Sequence, residues 1–257
     1  MTIAFTFPGQ GSQSVGMGKD LAATFPEAAA VFDEVDAALG EYSALCAAGT
    51  FSIADTARLL RIRGNAMQSA VPVGEGAMAA IIGLEQADVE AACAEASKGG
   101  TCQIANDNGG GQLVISGSKP AVEVAARIAT EKGAKRALML PVSAPFHSAL
   151  MAPAAEAMRE ALASVQKNRP VVPVVANVLA APIEDPDEIA RRLVEQVTGQ
   201  VRWRETVEWF AAGNVTTLYE IGSGKVLTGL ARRIDKSVTG IAVNTPADID
   251  AAVAALV

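Results

Sequence analysis

The sequence predicts an α/β protein in which a small sheet-and-helix subdomain interrupts a larger one. Three observations carry this. Apolar segments of strand length alternate with longer segments of helical period. Residues 74–140 hold a complete β-α-β-β-α-β set. Helix-start signals recur between strands: Ser118-Lys119-Pro120, Asp185-Pro186-Asp187-Glu188 and Thr245-Pro246-Ala247-Asp248.

Residues 3–7 form a short apolar strand that breaks at Pro8-Gly9 and gives way to helix through about Asp36. A second helix covers about 54–69. In the inserted block, 77–84 is strand-like, and 86–97 is helical, with Val89, Ala92 and Cys93 on one face. Residues 102–105 and 112–116 are short strands around the turn-rich Asn106-Asp107-Asn108-Gly109-Gly110-Gly111. Ser118 is the expected N-cap of a helix with Val122, Ala126 and Ala129 inward, and 136–142 closes as a strand. That order is the ferredoxin-like motif. The larger domain resumes with a helix at 148–165. Residues 171–175 read as a continuous apolar strand buried on both faces, and 215–221 as another strand. The predicted division is 1–73 with 141–257, and 74–140.

Of 257 residues, half are apolar and 19% charged, as in a globular protein, and there is no apolar run of membrane-spanning length. No basic leader precedes the first strand, which predicts a cytoplasmic protein. A net charge of −7 argues against a general nucleic-acid surface. Lys132, Lys135 and Arg136, and Lys225, Arg232, Arg233 and Lys236, read as solvated helix ends. Cys46, Cys93 and Cys102 are few and odd in number, and read as separate buried thiols in a reducing compartment, with no disulfide framework or metal site.

Gly9-Gln10-Gly11-Ser12-Gln13, Glu41-Tyr42-Ser43-Ala44-Leu45, Arg63-Gly64-Asn65-Ala66-Met67-Gln68, Pro141-Val142-Ser143-Ala144-Pro145-Phe146-His147-Ser148 and Tyr219-Glu220-Ile221-Gly222-Ser223-Gly224-Lys225-Val226-Leu227 together resemble malonyl-CoA:acyl-carrier-protein transacylases over nearly the whole chain. The resemblance implies an α/β-hydrolase-like large domain with a parallel sheet. It also implies transfer of malonyl from CoA to the phosphopantetheine thiol of acyl carrier protein in fatty-acid biosynthesis, by a monomer without metal or redox cofactor. Its substrate is malonyl-CoA and its protein partner is acyl carrier protein.

His147 is the only histidine. Alone, such a residue is structural more often than catalytic; the resemblance implies a general base. Arg63 falls on an apolar helix face with Leu59, Leu60 and Met67, where a guanidinium needs an anionic partner. That partner is internal, or, as the resemblance implies, the malonyl carboxylate. Gln10 is implied to bind the thioester oxyanion and Gln196 to orient His147. Asn106 and Asn108 are either a polar turn or residues lining the substrate cleft.

One part of the family pattern is missing. The family attacks its thioester with a serine in Gly-His-Ser-Leu-Gly directly before Glu-Tyr-Ser-Ala-Leu. Here Glu41 follows Asp36-Ala37-Ala38-Leu39-Gly40, and no Gly-x-Ser-x-Gly occurs anywhere. Roughly 50 residues, including the strand that feeds the nucleophile elbow, are expected to be absent at this junction. The expectation is therefore an enzyme-family chain with no nucleophile and little or no activity. The alternatives are a non-catalytic module that binds CoA esters or carrier protein, and a hydrolase with an unrecognised nucleophile.

Overall fold

A computed structural model of the chain describes residues 2–8, 40–142 and 144–256. In chain order, the first half contains β1 (Thr2–Thr6), α1 (Gly40–Ala47), α2 (Ile53–Ala70), β2 (Gly76–Ile82), α3 (Gln86–Ala96), β3 (Cys102–Asp107), β4 (Gln112–Ser118), α4 (Lys119–Glu131) and β5 (Arg136–Met139). The second half contains α5 (Ala152–Ala163), β6 (Val174–Ala176), β7 (Ala181–Ile183), α6 (Pro186–Thr198), β8 (Val201–Arg202), α7 (Trp203–Ala212), β9 (Val215–Ile221), α8 (Val226–Ile234), β10 (Thr239–Val243) and α9 (Pro246–Leu256). The chain divides into two compact units, residues 1–61, 165–174 and 207–257, and residues 62–164 and 175–206.

The first unit holds a parallel sheet in the order β1-β9-β10. The central strand β9 is buried from Thr217 through Glu220, as a parallel strand covered on both faces must be. Glu220 is wholly buried, and its carboxylate accepts the backbone N–H groups of Leu227 (3.1 Å) and Thr228 (2.8 Å) at the start of α8. A helix N-terminus is a favourable place for a buried anion because its N–H groups are orphaned and its dipole is positive there. The motif Glu220-Ile221-Gly222-Ser223-Gly224 is thus a strand-to-helix turn locked by its own acid. Among the described residues, no strand pairs with the second edge of β1. Helix α1 packs directly on the end of β1: a Cβ at Gly40 would lie 2.2 Å from the Phe7 carbonyl oxygen. Residues 171–175 are not the buried strand expected. Val171 and Val172 are exposed, and only β6 is extended, paired with β7. Pro170 and Pro173 interrupt the run, and Val171 N–H is instead bound to the carbonyl of Ala48.

The second unit holds a five-stranded mixed sheet in the order β5-β2-β4-β3-β8. β5, β2, β4 and β3 are antiparallel neighbours, and β8 adds parallel to β3. Helices α3 and α4 cover one face, and Val89, Cys93, Val122, Ala125 and Ala129 pack with Ala79, Ile81, Ile104, Leu113 and Ile115. This unit takes in more than residues 74–140; it also includes the second half of α2 from Ile62, α5, and residues 175–206 with α6 and β8. Two local expectations change. Ser118 caps α4 by position, but its hydroxyl donates to the Thr101 carbonyl (3.3 Å) and not to the helix. Cys93 and Cys102 are not separate: their buried sulfurs lie 3.6 Å apart, both as free thiols, because α3 lies over the start of β3. The seven basic residues of the two clusters are exposed. No described helix is long and apolar enough to cross a membrane.

A register shift in β3 between Ile104 and Asn106 decides which side chains reach the uncovered face. Ile104 stands opposite core residue Ile115, whereas Asn106 stands opposite Val114 and Asp107 opposite core residue Leu113. Gln103, opposite Ser116, and Asn106 therefore share the face away from α3 and α4. Without the extra residue, strict alternation would send Asn106 into the core with Cys102 and Ile104.

Close packing of β3 on β4 also fixes Gly117, where a Cβ would lie 1.9 Å from the Thr101 carbonyl oxygen. Nothing surrounds a Cβ placed on Gly64, which is exposed in α2. Gly117→Ala is expected to destabilise the fold by about 3 kcal/mol. Gly64→Ala is expected to stabilise it by about 0.5–1 kcal/mol, since Ala is the better helix former. Urea unfolding of both variants checks the opposite signs.

Candidate active site

His147 lies between β5 and α5 with a backbone φ of 56°. An L-residue in this left-handed region costs on the order of 1–2 kcal/mol, so its surroundings must hold it there. The buried Ser148 hydroxyl donates to the Pro145 carbonyl (2.7 Å), and Met151 N–H donates to the Ser148 carbonyl (2.9 Å). Gln103 binds the same segment from β3: its Nε2 donates to the His147 carbonyl (3.3 Å) and its Oε1 accepts from Ala149 N–H (3.0 Å).

The imidazole meets the end of α6. This helix starts cleanly, with the Asp185 carboxylate accepting Glu188 N–H at 2.8 Å. Its buried stripe is Ile189, Leu193, Gln196 and Val197, so helical period alone places Gln196 on the inward face. His147 Nδ1 lies 3.0 Å from the Gln196 carbonyl oxygen. The nearer of the two groups that meet Nδ1 is this carbonyl, which only accepts, and on that contact the proton is assigned to Nδ1 and the lone pair to Nε2. The Gln196 side-chain nitrogen lies 3.1 Å from the same ring nitrogen and donates to the Gly199 carbonyl at 3.4 Å. Gly199 permits this close ending: a Cβ there would stand 2.9 Å from both the Glu195 carbonyl and Val178.

Two opposing influences set the basicity of His147. Burial and the nearby charge of Arg63 push its pKa down, while the carbonyls of Gln196 and Gly199 push it up. Burial and Arg63 win, and the pKa falls to about 4. The ring is therefore neutral at pH 7, with a lone pair able to take a proton.

Arg63 sits on α2 and is 4% exposed, among the buried Leu59, Leu60 and Met67. The helix face read from the sequence is the one that is buried, and it brings the guanidinium within electrostatic reach of the imidazole. Asn106 is half-buried on β3. Asn108 follows the strand, and its backbone N–H donates to the Gln112 carbonyl at 3.1 Å. Neither asparagine side chain is hydrogen-bonded to His147. Between them, buried Asp107 accepts from Gly109 N–H (3.1 Å) and from Arg204 Nε (2.7 Å). Gln10 lies outside the described residues, as does the junction up to Leu39. Gln103 and the Asp107–Arg204 pair are functional-site neighbours that the sequence marks only weakly. The available signals were a glutamine inside an apolar strand and an acid between two asparagines. Among the described residues, no group of three or more metal-binding side chains comes together.

The depressed pKa of His147 has a consequence for stability. As pH falls below about 6.5, the ordinary histidine value, the unfolded chain takes up a proton that the folded chain refuses until about pH 4. Stability from this group is complete above pH 6.5 and is lost progressively between 6.5 and 4, by up to about 3 kcal/mol. Urea unfolding at pH 7 and pH 5 should show a larger loss for the wild type than for His147→Asn.

The acyl transferase domain model matches residues 37–247. The malonyl CoA-acyl carrier protein transacylase of Escherichia coli K12 is 42% identical over 302 residues, covering 97% of this chain and 98% of the relative. An alignment of 302 positions against a chain of 257 leaves at least 45 positions of the relative (302 less 257) without a counterpart here. The crystal structure of acyl-carrier-protein-S-malonyltransferase from Bartonella henselae is 53% identical, with a TM-score of 0.96 over 100% of this chain and 99% of that one. A malonyl-transacylase solved in complex with a type II PKS acyl-carrier protein is 37% identical, with a TM-score of 0.92 over 99% of this chain and 100% of that one. The chain belongs to the malonyl-CoA:acyl-carrier-protein transacylase family of acyl transferase domains.

Proposed function

We propose that this chain is a cytoplasmic, monomeric family member that retains the base and the carboxylate clamp of malonyl transfer but lacks the nucleophile. The complete reaction is ping-pong. A serine hydroxyl attacks the malonyl thioester as a base takes its proton, CoA leaves as a thiol, and the carrier-protein thiol then takes malonyl from the serine ester. His147 is the base in both halves, accepting at Nε2, with the Gln196 carbonyl holding Nδ1–H. Arg63 binds the malonyl carboxylate, which favours malonyl over acetyl. Gln10 supplies a donor to the oxyanion, and Asn106 and Asn108 line the substrate site.

The observation that carries this reading is the 3.0 Å contact of His147 Nδ1 with the Gln196 carbonyl, beside the charge of buried Arg63. It is an arrangement for a neutral base next to an anion site. The missing component is the segment expected before Glu41, with Leu39-Gly40 assignable to either side of the junction; the 45 or more unmatched positions of the relative are of the number this needs. Ser148, the hydroxyl nearest in sequence to His147 among the described residues, is committed to the Pro145 carbonyl and wholly buried, so it does not substitute. Without the serine ester, the chain binds malonyl-CoA and carrier protein but does not couple them.

Calorimetry tests the clamp. Wild type should bind malonyl-CoA more tightly than acetyl-CoA. Arg63→Ala should lose roughly 10- to 150-fold in malonyl-CoA affinity, the equivalent of about 1.5–3 kcal/mol for a charge-assisted pair, and leave acetyl-CoA unchanged. Intact-mass analysis of the same wild-type mixture should show no covalent malonyl adduct. Equal binding of the two esters by wild type removes the clamp from the account, and an adduct on a defined residue removes the claim that the nucleophile is missing.

A further inference from the structure

Gln103 spends its side chain on three backbone groups. Besides the His147 carbonyl (3.3 Å) and Ala149 N–H (3.0 Å), its Nε2 donates to the Thr198 carbonyl at 3.2 Å. These groups belong to two segments far apart in sequence. His147 and Ala149 stand in the segment leading into α5, and Thr198 is the last residue of α6, two residues after Gln196. The two segments are the two halves of the imidazole hydrogen bond. One contributes Nδ1–H, the other the carbonyl that receives it, and Gln103 is bonded to both.

A primary amide suits this position. It presents two N–H donors and one carbonyl in a single plane, so it can span two carbonyls and answer an N–H at once. A carboxylate of the same length could keep only the bond from Ala149, and would face two carbonyl oxygens with no proton to offer. The strand supplies the rest. β3 is paired on both sides, with β4 and with β8, which makes it a rigid place from which to hold two loops. Gln103 stands opposite Ser116 on the face away from the α3–α4 core, the same face the register shift gives to Asn106.

Backbone conformation raises the demand on these contacts. His147 is held at φ 56°, and Gln103 binds its carbonyl and the N–H two residues on. Ser148 ties the turn to itself through Pro145, whereas Gln103 bonds both this turn and the end of α6 from a third element, β3.

We propose that Gln103 is a positioning residue for His147, tying the histidine segment to the end of α6 so that Nδ1–H meets the Gln196 carbonyl and Nε2 is the basic nitrogen. The catalytic meaning rests on the reading of His147 as the base; the geometric claim does not.

The single histidine makes the test direct, because every imidazole resonance in a long-range ¹H–¹⁵N spectrum belongs to His147. Wild type should show one tautomer, protonated at Nδ1, with titration only near pH 4. Gln103→Glu and Gln103→Leu should show mixed tautomers and a midpoint moved up by about one unit or more, toward the ordinary 6.5, as the ring escapes burial and Arg63. Ile104→Val, a loosening of the core face of the same strand, should lower Tm but leave the imidazole pattern as in wild type. A wild-type pattern in a folded Gln103→Glu or Gln103→Leu protein overturns the proposal. Should both variants fail to fold, hydrogen exchange in wild type decides. Ala149 N–H should be protected to the level of the β3–β4 ladder, and fast exchange there overturns it. Failure of wild type to bind malonyl-CoA would overturn the functional reading and leave this test intact.

Discussion

The hydrogen bond from His147 Nδ1–H to the Gln196 carbonyl is the constraint on which the site depends. It requires two segments of different origin to meet within a few tenths of an ångström, one in a strained left-handed turn and the other at a helix end. The surrounding features answer that requirement. α6 is capped by Asp185 at its start and ended by Gly199, whose missing Cβ lets the chain pass Val178. Gln103 joins the two segments from a doubly paired strand. The bond also fixes the chemistry, since a ring that donates from Nδ1 keeps its lone pair on Nε2.

The electrostatics are balanced toward a neutral ring. Carbonyls at the end of a helix favour an imidazolium, yet burial and the Arg63 charge outweigh them. A guanidinium beside a base looks counterproductive until its own role is considered. In the proposed reading it binds the substrate carboxylate, and its charge helps to keep His147 neutral. The second unit holds His147, Gln196, Arg63, Asn106 and Asn108 together, whereas the expected deletion falls in the first. In the proposed reading, this is how a chain without its nucleophile keeps the base organised.

Much of this was legible in the sequence, for identifiable reasons. Helical period placed Arg63 on a buried face, because α2 is long enough for a 3.6-residue pattern to be unambiguous, whereas Gln196 was expected beside His147 only from the family resemblance. The β-α-β-β-α-β order of residues 74–140 followed from short strands and clear turn residues. What could not be read depended on contacts distant in sequence or on backbone geometry. Residues 171–175 looked like a buried strand because four valines outweighed two prolines; the prolines decided the outcome. Cys93 and Cys102 looked separate because nine positions in sequence say nothing about a helix lying over a strand. Gln103 was invisible because its partners are 44, 46 and 95 residues away. The register shift that puts Asn106 on the face of Gln103 has no signature in the strand's composition.

The central claim is that the base is in place and only the nucleophile segment is missing. Its most direct test is the rate of malonyl transfer from CoA to acyl carrier protein after the corresponding segment of an intact relative is grafted at the junction before Glu41. The account predicts that transfer appears in the grafted chain, is abolished there by His147→Ala, and is absent from the chain as it stands. Transfer by the ungrafted chain at a comparable rate, or a folded graft that remains inactive, would contradict it.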